Sequence, residues 1–138
     1  MSSAQRNDVC LITVDREVGD VLRHQTLVVL EANHQYFEDV VLFGPDARRA
    51  LAAIYRDAFA VLGAVGWGED EVVPSAEVPL TAGHLEQLAR RRRDLGHANI
   101  DRLQLDGPAV DRAALTADRC AAQTLDRLRV AFARARRG

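Results

Sequence analysis

Three polar side chains alternate directly after Gly96: His97, Asn99 and Asp101. An imidazole, an amide and a carboxylate at this spacing could ligate a metal ion or polarise a substrate. The pattern is short and recurs by chance, and a plain polar turn explains it better. The other histidines, His24, His34 and His84, complete no HxH, HxxxH or mixed Cys/His set. The sequence therefore supports no metal site and no cofactor.

Nucleophilic chemistry finds equally little. Ser75 is the only serine beyond the first residues, and it stands in VPSAE rather than in a GxSxG elbow. Cys10 opens an apolar run and Cys120 borders the apolar side of a helical pattern; neither has a base beside it. Both are expected to be reduced, buried thiols in a cytoplasmic protein. Glu38 and Asp39 are adjacent, so on a strand they point to opposite faces and make no acid–base couple. Every basic residue apart from histidine is arginine. Without lysine there is no Schiff base and no Walker A loop. A non-catalytic role is the expectation.

Charge and aromatic placement point instead to partners. Residues 1–80 hold 6 arginines against 13 acidic residues, and residues 81–138 hold 12 against 7. Such halves can pair with each other, with another copy of the chain or with a different molecule. Arg90 to Arg93 are consecutive, so on a helix they fan over about 300° and make no single basic patch. Arg90 and Arg93 share a side. Arg92 follows the Leu85–Leu88–Leu95 stripe, where its head must either reach water or fork onto a carboxylate. Glu31, Glu38, Asp39 and the Glu69–Asp70–Glu71 run are the acidic candidates. No aromatic residue lies between Thr81 and Val130 to stack nucleic-acid bases. Trp67, the single tryptophan, sits in Gly66-Trp67-Gly68. It can fold back on the preceding helix or stand exposed as a partner anchor with the acidic run as its rim.

The elements that would carry these residues read as follows. Val9–Val14, Leu22–Glu31 and Tyr36–Phe43 read as strands, with turns near Gly19-Asp20 and at Asn33-His34-Gln35. Gly44-Pro45-Asp46 opens a first helix whose stripe runs from Ala47 to Val65 at 3/4 spacing. Glu69–Leu80, with two prolines, is a loop or an extended segment. Thr81 caps a second helix, with Leu80 and Leu85 as a hydrophobic staple. Gly107-Pro108 starts a third helix that reaches about Arg137, with a possible break at Leu115-Thr116.

The expected fold is α+β: a three-stranded antiparallel meander followed by three helices, the last one long. It forms one domain over residues 1–138, with 1–8 and 136–138 as loose ends. No apolar run approaches the roughly 18 residues that span a membrane, and no membrane partner is expected. The expected function is a protein–protein interaction or assembly module that pairs with itself or joins a larger complex, using Trp67, Arg90, Arg92 and Arg93. A nucleic-acid-associated regulator using the arginine-rich helices is the alternative. A small enzyme or ligand binder with a pocket between sheet and helices is the third reading.

Overall fold

A computed structural model describes residues 9–34, 44–68, 70, 73–92 and 112–137, the last stretch with side chains from residue 119 onward. Strand β1 spans Val9–Asp15 and strand β2 spans Ser75–Thr81. They pair antiparallel, Val9 opposite Thr81 and Asp15 opposite Ser75. The period of two sorts their side chains. Ile12, Val14, Val78 and Leu80 enter the core, whereas Leu11, Thr13 and Glu77 face outward.

Helix α1 spans Arg16–His34. Asp15 starts it: its Oδ1 accepts the Val18 N–H at 2.9 Å, and Glu17 adds an acid to the first turn. Its buried side carries Gly19, Leu22, Thr26, Val29 and Asn33 at alternating 3/4 spacing, with Arg23 alongside.

This overturns the expected meander. Leu22–Glu31 is the body of α1, the Gly19-Asp20 turn lies within its second turn, and Asn33-His34 is its end. The expected third strand, Tyr36–Phe43, lies outside the described residues. The partner of β1 is instead β2, in the stretch read as a loop or an extended segment. The described residues form four helices and one two-stranded antiparallel sheet. The physical reason lies in the buried side of α1. Leu27 to Leu30 is a continuous apolar run that reads as a strand, and three of the inward positions, Arg23, Thr26 and Asn33, are polar and blur the inward stripe.

Helix α2 spans Pro45–Val65, and Leu51, Ala58, Val61, Leu62 and Val65 face inward as its spacing predicts. Glycines at φ 94° and 96° bracket it, Gly44 before and Gly66 after. The Gly66 N–H closes it by donating to the Leu62 carbonyl at 2.8 Å. Helix α3 covers 82–92, where that described stretch ends. Thr81 caps it as predicted, its Oγ1 accepting the His84 N–H at 3.0 Å. Leu80 and Leu85, the two staple residues, lie in one buried cluster.

Helix α4 spans Arg112–Arg137 and passes Leu115-Thr116 without a break. The expected residues 109–111 of this helix lie outside the described residues. Leu125, Leu128 and Phe132 of α4 join the same core as Ile12, Leu22, Val61, Val78 and Leu88. From Ala121 onward the apolar side of α4 is thus engaged by its own chain. Among the described residues, no helix is long and apolar enough to cross a membrane.

Candidate interaction surface

A line of buried polar groups joins α1, α2 and α3, and it bears on whether the chain is catalytic. Asp57 of α2 accepts the Thr81 hydroxyl at its Oδ2, 2.8 Å away. His84, 1% exposed, lies 3.1 Å from the Thr26 hydroxyl through Nε2. Its Nδ1 has no partner. Burial lowers the His84 pKa from 6.5 to about 4, although Asp57 pulls it upward. Further along, the Asn33 side-chain amide donates to the Val29 carbonyl at 2.8 Å and to Gln87 Oε1 at 3.4 Å.

A hydroxyl beside an imidazole with a carboxylate nearby suggests an activated nucleophile. Here it cannot act as one. Thr26 is 0% exposed, so no substrate atom reaches its oxygen. The seam positions helices rather than reagents.

The cysteines offer no alternative. Cys10 is half-buried and Cys120 is exposed, so Cys120 departs from the expectation of two buried thiols; both are free. No group of three or more His, Cys, Asp and Glu side chains among the described residues could hold a metal ion. His97, Asn99 and Asp101 lie outside the described residues. One crevice lies where Leu22 and Gln25 of α1, Leu88 and Arg92 of α3 and Leu125 of α4 converge. Its cavity volume is ≈ 10 Å³, room for about one water, whereas small-molecule sites take ~300–1,000 Å³.

The outward side of α2 has a different character. Tyr55 and Phe59, one turn apart, stack with ring centroids 5.9 Å apart. Trp67 folds back from Gly66 and stacks on Phe59 at 5.5 Å. The three rings form a ladder, yet Phe59 stays 48% and Trp67 46% exposed. Ala52, Arg56, Ala60 and Gly63 share the exposed side of the helix. Asp70, beyond Trp67, is also exposed.

The arginines separate. Arg90 is exposed and Arg92 half-buried at the crevice beside Leu88, the stripe on which the spacing put it. Arg93 lies outside the described residues. The neighbours of Trp67 are Phe59 and Tyr55, which the sequence reading did not single out. The signal was present: Tyr55 and Phe59 stand at i and i+4, opposite a stripe already assigned to the core.

On α4, Arg119, Arg127, Arg134 and Arg137 are all exposed, with Val130 exposed among them. Against six arginines, residues 119–137 hold one acid, Asp126.

No protein family model, no curated protein and no solved structure matches this chain.

Proposed function

We propose that this chain is a non-catalytic protein–protein interaction module of the cytoplasm that docks through the outward side of α2. The observation that carries this reading is the ladder of Tyr55, Phe59 and Trp67, with two of its three rings about half exposed. Large rings left partly in water forgo hydrophobic stabilisation that a partner would supply, and aromatic residues dominate interface anchors. Stacking holds the rings in place beforehand, so docking orders little that is not already ordered.

The expected three-stranded meander does not form, and Leu125, Leu128 and Phe132 of α4 pack within the chain, so neither supplies the docking surface. The reading rests on the ladder instead.

Acrylamide quenching of Trp67 tests it, at a dilution where light scattering gives the mass of one chain. Efficient quenching with red-shifted emission supports an open docking face. A blue-shifted, shielded Trp67 in the single chain removes the reading.

One observation favours the nucleic-acid alternative. Arg119, Arg127, Arg134 and Arg137 line one exposed side of α4 and form no ion pair there among the described residues. Phosphate binding by such a side would weaken steeply with salt. A duplex or single-stranded oligonucleotide whose polarisation stays flat on titration at low salt would exclude it.

A further inference from the structure

We infer that the occupant of the α2 face is a second copy of this chain, its α2 lying antiparallel to the first about a two-fold axis near Phe59. This rests on the docking reading above and names the partner for that face.

The two ends of the face carry opposite charge. Arg48 and Arg49 stand exposed near the start of α2. Arg49 is tied to Asp46, and Arg48 forms no ion pair among the described residues. At the other end, beyond Trp67, Asp70 is exposed and has Glu69 and Glu71 as its neighbours in sequence. A two-fold interface uses one patch twice, so the patch must complement itself. An antiparallel pair does this, because the basic start of each α2 meets the acidic end of the other. A parallel pair would oppose arginine to arginine and carboxylate to carboxylate.

Phe59 is the middle ring of the ladder, stacked on Tyr55 and on Trp67. Centring the axis there places Phe59 against its own copy and the start of each α2 towards the end of the other. Arg56, on the same side of the helix, keeps Asp57 within 3.5 Å, which moderates its charge at the axis.

Close approach is also possible. Ala52, Ala60 and Gly63 are small and exposed on this side. A Cβ added at Gly63 would meet nothing within 4 Å, so packing inside the chain does not require a glycine there. A glycine inside a helix weakens it. A neighbouring helix backbone gives that position a use, since interaxial distance depends on side-chain size at the contact.

The test uses the full chain and light scattering over a wide concentration range. The wild type is expected to shift from one chain to two. Phe59→Ser should raise the dissociation constant roughly ten-fold or more, as loss of a central aromatic anchor does. Two charge variants then test the orientation. One carries Arg48→Glu and Arg49→Glu; the other carries Glu69→Arg, Asp70→Arg and Glu71→Arg. Each alone should remain a single chain, and an equimolar mixture should form a mixed dimer. Circular dichroism confirms that each variant keeps its helices.

A wild type that stays single at every concentration overturns the second-copy inference. If its Trp67 is then open to quencher, the docking reading stands with an unrelated protein as occupant; if Trp67 is shielded, both fall. A dimer indifferent to Phe59→Ser uses another surface and overturns the inference. So does a mixture of the charge variants that fails to pair.

Discussion

Thr26 and His84 come from helices far apart in sequence, and the Thr26 hydroxyl lies 3.1 Å from His84 Nε2 with both side chains sealed from solvent. That bond is the one partner of the His84 ring, because Nδ1 has none. Thr26→Val keeps the shape and removes the partner. Leaving a buried polar group unsatisfied costs about 1–3 kcal/mol, and urea unfolding should register a loss of that size. A change near zero would mean the ring finds water or shifts to another partner.

The same histidine gives the fold a pH dependence of definite sign. Burial holds the His84 pKa near 4 in the folded chain, against 6.5 for a free ring, so the unfolded chain binds the extra proton first. Stability from the neutral ring is complete above about pH 6.5, falls as pH drops towards about 4, and falls no further below that. The loss across this window is on the order of 3 kcal/mol. His84→Gln should lose this component, so wild type and variant should converge in stability as acid is added. Parallel pH profiles would show that His84 does not titrate in this way.

Thr81 does two jobs at the junction of β2 and α3. It caps α3 by accepting the His84 N–H, and it donates to Asp57. Thr81→Ala should cost about 1–2 kcal/mol, the upper part of the range for a lost cap. Thr81→Ser should recover most of it, because the hydroxyl is what both contacts use. Thermal melts of the two variants compare them directly.

Leu128 is 2% exposed at the middle of the buried side of α4. Leu128→Ala should destabilise the single chain by about 2–5 kcal/mol. That outcome is what α4 as part of the core requires. A large effect on assembly with little on unfolding would instead make α4 a partner-binding helix.

Gly63→Ala, made together with Phe59→Ser so that pairing does not contribute, should raise stability by about 0.5–1 kcal/mol. The space for a methyl group is open. A loss of stability would mean that a neighbour occupies this side of α2 within the chain.

Several of these features were legible in the residues. β1 stood out as a short β-branched run, although it extends one residue further to Asp15. α2 was plain because its inward positions are apolar and its ends are marked by Gly44-Pro45 and Gly66. Thr81 was readable as a cap, and the last helix as one reaching about Arg137. Trp67 was readable as an aromatic set apart by glycines. Each of these signals is local: a cap, a turn residue or a hydropathy period acts within a few neighbours along the chain.

The tertiary structure decided the rest, and α1 shows why. Its start was marked by Asp15 and Glu17, yet Leu27–Leu30 resembles a strand when read without its surroundings. As a helix it buries Arg23, Thr26 and Asn33 beside Leu22 and Val29, and burial of polar groups is tolerable only with partners. His84 and Gln87 supply two of these from 58 and 54 residues away, and Asp20, one turn back in α1, pairs with Arg23 at 2.8 Å. The pairing of β1 with β2 across two intervening helices is equally non-local. So is the stacking of Trp67 on Phe59, which turns separate rings into one face. Local signals in the residues marked β1, the two ends of α2 and the start of α3. Which polar groups could be buried, and which rings stayed outside together, depended on partners that only the folded chain brings within reach.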